Sequence, residues 1–207
     1  MSWYGDKVLP RCINVVMNTA QNRRIRQRVC AGLQGEVLEI GFGTGLNLPH
    51  VPPSVTRLYA VEPAALAVGL AAERIEASPV PVAVIGLDGQ RIPLPDGSVD
   101  MALSTWTLCT IPDAVAAVRE VRRVLRPGGE LHFVEHGRSP DAPVRRWQDR
   151  LNGMQNRLAG GCNLNRDIRG LVEAGGLSVS RLDTFYAKGE PKAFGYLYEG
   201  VATRESG

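Results

Sequence analysis

Three glycines at alternate positions, Gly41, Gly43 and Gly45, follow the apolar run Val37-Leu38-Glu39-Ile40. Glycine tolerates positive φ and carries no Cβ, so such a loop turns sharply and lets a ligand approach its backbone. Several nucleotide-binding folds share that much. A dinucleotide fingerprint started at Gly41 needs Gly or Ala at position 46, where this chain has Leu46. The spacing is therefore G-x-G-x-G. Carboxylates follow: Glu62 precedes Pro63, and Asp88 precedes Gly89, eight residues ahead of Asp96. His136 comes just past the apolar run Phe133-Val134-Glu135, and a neutral imidazole there can take a proton near neutral pH. His50, in a loop, and His132, within a strand, are weaker candidates. Cys162 reads either as a small buried apolar residue or as a thiol at a substrate site. Arg166 reads as a partner for an anionic substrate group, for Glu135, or for a helix end. The cysteines (12, 30, 109 and 162) form no C-x-x-C pair, and His, Cys and carboxylate show no ligand spacing, so no metal is implied.

The elements that must position these groups alternate. Short apolar runs at 36–40, 57–61, 82–85, 99–104 and 130–135 read as strands, and helical patterns at 64–77 and 113–126 lie between several of them. Continuous apolar strands separated by helices predict a parallel sheet covered on both faces, and handedness favours a doubly wound arrangement. Arg126-Pro127-Gly128-Gly129 is expected to stop one helix and turn the chain into the fifth strand. Val144, Trp147, Leu151, Met154 and Leu158 make an apolar stripe on a long helix, and Asn165 or Asp167 can cap a shorter one ending at Gly175–Gly176. Two β-rich stretches follow, 178–186 and 194–203, joined by too few residues for a helix, so they pair antiparallel. Ahead of the first strand, 7–20 and 22–31 are helical. Val8, Cys12 and Val16 face one way and Arg11, Asn14 and Asn18 elsewhere. Residues 1–35 are thus expected to be a lid or packing segment, although such a stripe can also lie on a membrane surface, and 36–207 the catalytic domain.

Four motifs in this order resemble class I S-adenosylmethionine-dependent methyltransferases: the 41–45 loop, Glu62 at the end of the second strand, Asp88-Gly89-Gln90-Arg91-Ile92-Pro93-Leu94-Pro95-Asp96-Gly97, and Arg126-Pro127-Gly128-Gly129. The resemblance covers 36 to about 135. It implies an α/β, Rossmann-like fold: a seven-stranded, mostly parallel sheet, its last strand antiparallel and helices on both faces. It implies S-adenosylmethionine as cofactor, with S-adenosylhomocysteine as product. The residues it assigns to that cofactor are Glu39, Gly41, Gly43, Gly45, Asn47, Glu62, Pro63, Asp88, Gly89 and Thr105. Glu62 would accept hydrogen bonds from both ribose hydroxyls and Asp88 one from the adenine amino group. Glu135-His136, the segment Gly160-Gly161-Cys162-Asn163-Leu164-Asn165-Arg166 and Gly195-Tyr196 are similar to alkyl-thiol methyltransferases of the methyltransferase-like-seven type and their bacterial relatives. That makes a thiol or hydrophobic small molecule the implied acceptor and His136 the catalytic candidate. Ubiquinone/menaquinone C-methyltransferases share the core motifs and are less similar in the last third. A nicotinamide oxidoreductase, disfavoured by Leu46, and a non-catalytic cofactor-binding or membrane-surface protein are the rival classes.

Composition agrees with a soluble domain. The chain has 207 residues, 44% apolar and 22% charged, with a net charge of +3, too small to imply a nucleic-acid partner. The arginines at 23, 24, 26 and 28 read as a solvated helix face. No run of about 18 apolar residues is present, so no integral membrane contact is expected. On this reading neither the hydrophobic N-terminal anchor of the animal relatives nor a leader is expected, because charges interrupt every apolar stretch of the first thirty residues. Unpaired cysteines suit a cytoplasmic location. No feature of the sequence encodes an oligomeric state.

Overall fold

Strand β1 (Gly35–Ile40) has both faces covered, and its sequence shows why. Val37 belongs to one core cluster, with Leu58, Leu103, Ala71 and Val29, while Leu38 belongs to a second, with Val118, Val121, Phe133 and Val172. Successive side chains of a strand point to opposite faces, so a continuous apolar run needs a layer on each. The computed structural model describes residues 9–86, 89 and 91–206. In it β1 is the third member of a seven-stranded sheet. The other strands are β2 (Val55–Val61), β3 (Val82–Gly86), β4 (Val99–Thr105), β5 (Leu125–His136), β6 (Ser178–Tyr186) and β7 (Tyr196–Thr203), in spatial order β3-β2-β1-β4-β5-β7-β6. The first five run parallel; β7 slots between β5 and β6, antiparallel to both. The order reverses between β1 and β4. At such a switch point the strand C-termini splay apart and leave a crevice.

The helices follow the sequence reading with three corrections. Helices α1 (Leu9–Val16) and α2 (Ala20–Cys30) are separate because Thr19 caps the second, its Oγ1 accepting from Asn22 N at 3.1 Å. Residues 7 and 8 of the expected first helix lie outside the described residues. Helices α3 (Ala65–Glu76), α4 (Ala114–Val124) and α6 (Ile168–Ala174) sit where periodicity put them, α4 capped by Asp113 and α6 by Asp167. The first correction is in β5, which pairs with β4 from Leu125 onward. Pro127-Gly128-Gly129 is thus an irregularity within the strand, where an added Cβ on Gly129 would press on Asp100 O. The second is α5 (Ala142–Leu158): only Gln148 is buried, whereas Trp147, Met154 and Leu158 are at least half exposed. The third is Asn14, expected to face away, which instead accepts from Thr44 Oγ1 at 2.8 Å.

Candidate active site

At the end of β1 the chain must reverse under the sheet edge. Gly41, Gly43 and Gly45 all adopt positive φ (69°, 57° and 74°), a region that costs other residues dearly. Gly41 is further constrained, because a Cβ there would overlap Thr107. Gly43 differs: a Cβ on it would meet nothing nearer than Gly41 O at 3.9 Å, so open space lies in front of the loop. Its N–H donates to Glu62 Oε2 at 2.8 Å, and Glu62 Oε1 accepts from Ala64 N at 2.9 Å. Glu62 is thereby fixed beside the loop. Each of its oxygens accepts one backbone bond, and a carboxylate oxygen can accept another. Burial raises the Glu62 pKa, opposed by those two bonds. Loop and carboxylate open on one cavity of about 950 Å³.

Of the residues expected to hold a cofactor, Gly41, Gly43, Glu62, Pro63, Gly89 and Thr105 line this cavity. Asp88 lies outside the described residues. Among the described residues Glu39, Gly45 and Asn47 stand behind the wall. Gly45 packs toward Phe42, Leu48 and Ala71. Asn47 Nδ2 donates to Glu39 Oε1 (2.7 Å) and Thr105 Oγ1 (2.9 Å), and its Oδ1 accepts from Arg26 Nη1 at 2.7 Å. These three position the wall.

Arg26 corrects the expectation of a solvated arginine face. It is 6% exposed, lines the cavity, donates to Thr105 Oγ1 at 3.0 Å and stacks 4.8 Å over Trp106. Its signal was in the sequence: Asn22, Ile25 and Val29 share its helix face, so an arginine sits on the buried stripe. Two atoms of this network, Arg26 Nε and Glu39 Oε2, find no hydrogen-bond partner among the described residues. Burial pushes the Glu39 carboxyl up to about 8, against the pull of Asn47 and Arg26. It also lowers Arg26 to about 10.

Another wall of the cavity is built by the turn after β4, which supplies Trp106, Thr107, Cys109 and Thr110. Trp106 holds φ at +53°, an uncommon conformation costing on the order of 1–3 kcal/mol. Buried Glu135 over-determines that turn: it accepts from Ser104 Oγ (2.7 Å), Thr107 N (3.0 Å) and Cys109 N (3.0 Å). The 160–166 segment is latched to the same turn. Asn163 N donates to Cys109 O at 2.8 Å, and Arg166 donates to Leu108 O (2.5 Å) and Ile111 O (2.7 Å). Arg166 thus pairs with backbone carbonyls, and no bond to Glu135 is found among the described residues. The latch brings Cys162 Sγ within 3.7 Å of Cys109 Sγ and of His136 Nδ1, with Cys109 Sγ 4.0 Å from the same nitrogen. Sequence spacing gave no hint of this cluster, whose members lie 27 and 26 positions apart on three segments. Hydrogen bonds from Cys109 and His136 lower the Cys162 thiol to about 5, and the thiolate raises His136 in turn against its burial. His132 is structural: its Nδ1 meets Val29 O at 3.0 Å.

The methyltransferase-domain family profile matches residues 38–133. Human thiol S-methyltransferase TMT1A is 32% identical over 165 residues, covering 76% of this chain and 66% of that protein. The chain belongs to the class I S-adenosylmethionine-dependent methyltransferases. The ubiquinone/menaquinone biosynthesis C-methyltransferase UbiE of Caulobacter vibrioides is 39% identical over 62 residues, 30% of this chain and 25% of that one. A putative methyltransferase of Bacillus halodurans superposes with a TM-score of 0.72 at 15% identity, covering 90% of this chain and all of that one, which shows the shared fold. The chain spans about two thirds or less of the length of these curated relatives. The cavity fits the cofactor of a class I methyltransferase on its own terms. It offers a loop with room before Gly43, a carboxylate whose two oxygens each accept one backbone bond and can accept another, and the Arg26 guanidinium in its lining.

Proposed function

We propose that this chain moves the methyl group of S-adenosylmethionine to the sulfur of a small thiol with an apolar body. The observation that carries the reading is that one cavity is lined both by the glycine loop with Glu62 and by the Cys109–His136–Cys162 cluster. Gly41 and Gly43 give backbone to the cofactor, Glu62 holds its ribose, Pro63 and Gly89 flank the adenine side, for whose amino group Asp88 is the proposed acceptor, and Thr105 and Arg26 face its methionine end. Glu39, Gly45 and Asn47 hold those groups in place from behind. When bound, S-adenosylmethionine supplies a sulfonium methyl that a nucleophile displaces in line. The chain's own contribution is alignment and exclusion of water. His136 belongs to the acceptor's end, acting as a member of the cluster, because its Nδ1 is already engaged by Cys162.

Within the 1–35 segment, α1 and α2 serve as a lid or packing element over the site. Ile13 and Val16 from α1, Met17 just past its end and Leu158 from α5 form an apolar rim to the cavity, which suits a hydrophobic acceptor. No described helix is long and apolar enough to cross a membrane. Four unpaired cysteines suit a reducing, cytoplasmic setting. The UbiE match supports a second reading, methylation of a quinone-type carbon. Incubation with methyl-labelled cofactor and a panel of alkyl thiols and short-chain hydroquinones separates the two. Labelled thioethers are expected; label only in the hydroquinones would replace the thiol reading.

A further inference from the structure

A thiol paired with an imidazole would leave the second sulfur of the cluster, only slightly farther from that imidazole, without a purpose. Cys109 Sγ, Cys162 Sγ and His136 Nδ1 form a triangle with sides of 3.7, 3.7 and 4.0 Å, and neither cysteine is in a disulfide. Around a tetrahedral zinc ion, with metal–sulfur bonds of about 2.3 Å and metal–nitrogen bonds of about 2.0–2.1 Å, two such sulfurs lie roughly 3.7 Å apart and sulfur and nitrogen roughly 3.5 Å. The triangle matches one face of that tetrahedron to within about half an ångström. It is also held rigid: Glu135 anchors Cys109 N, and Asn163 N and Nδ2 both grip Cys109 O. All three residues line the cavity.

We propose that Cys109, His136 and Cys162 bind a thiophilic divalent cation of the zinc class, with the fourth coordination position open to the cavity. The ion's place follows from the triangle alone; its role rests on the thiol reading above. Two thiolates and a neutral imidazole leave such a site uncharged overall, which suits burial. An acceptor R–SH would enter the fourth position as thiolate and release its proton to water, with no change of oxidation state. A free thiol with a pKa of about 8.5 is mostly protonated at neutral pH, whereas a coordinated one is deprotonated.

The test uses the full chain, reduced, stripped with a chelator and titrated with Co²⁺ in the absence of any methyl donor. One equivalent is expected to bind, with thiolate-to-cobalt charge-transfer bands and the intense d–d bands of a tetrahedral site, and Zn²⁺ should bleach them. Cys162→Ser should weaken cobalt binding by more than about 100-fold, while Cys30→Ala, remote from the triangle, keeps the spectrum. Added alkyl thiol should intensify the charge-transfer bands as a third sulfur joins. A reduced protein with four titratable thiols that gives only a thiolate-free, octahedral spectrum overturns the site. So does a spectrum indifferent to Cys162→Ser. Calorimetry with S-adenosylhomocysteine on the same samples reports separately: retained binding shows Cys162→Ser is folded, and absent binding in the parent chain would sink the methyltransferase reading without touching the metal.

Discussion

Glu39 is the residue whose chemistry is least comfortable. It is wholly buried, one oxygen lacks a partner among the described residues, and its carboxyl is held up at about 8. Below its unfolded value, near 4.5, it is protonated in both states and costs nothing. Between there and about 8 the unfolded chain releases the proton and the folded chain keeps it, so stability falls as pH rises through that window. Glu62, also raised by burial, adds to the same slope. Glu39→Gln should therefore flatten the decline in urea midpoint between pH 5 and pH 8 and leave the variant at least as stable as the parent at pH 8. An undiminished slope would mean Glu39 is not the group responsible. Arg26 is the matching cation. Arg26→Lys loses the planar guanidinium that stacks over Trp106 and whose Nη1 donates to both Asn47 and Thr105, and should weaken S-adenosylhomocysteine about tenfold or more. Equal affinity in a calorimeter would remove Arg26 from the site.

At the scale of elements, the loop after β1 and the strand ends were legible because their signals are local. Three glycines, a carboxylate at a strand end and alternating apolar runs each report within a few residues. Cys109 and the exposed stripe of α5 were not, since each depends on a partner far along the chain, and Arg26 was legible only as an arginine on a buried stripe, not in the partners it meets. Periodicity says that Trp147, Met154 and Leu158 share a face, and nothing in it says whether anything covers that face. Arg26 meets residues 21 and 79 positions away, and Cys109 meets Cys162 at a distance of 53. Pro127-Gly128-Gly129 misled for another reason: proline and glycine mark irregular backbone, whether between elements or inside one. The loop itself yields a sharp prediction. Gly41→Ala combines positive φ with overlap on Thr107, so it should abolish measurable cofactor binding and lower the thermal midpoint. Gly43→Ala, where space is open, should cost folding less while still obstructing the ligand. Equal, small effects at both positions would argue against a loop that touches cofactor.

Across the whole molecule, the sheet's order reversal between β1 and β4 opens the crevice, the buried Glu135 stiffens one wall, and α1 and α5 rim its mouth with apolar groups. A methyl donor and a greasy thiol would then meet across one enclosed space. Glu62 joins the loop to that space, so the claim is best tested there. Titration calorimetry should show one S-adenosylhomocysteine per chain, weakened by roughly 1.5–3 kcal/mol in Glu62→Ala, the loss typical of hydrogen bonds to a charged group. No heat at high micromolar ligand, or identical affinity in the variant, would contradict the account.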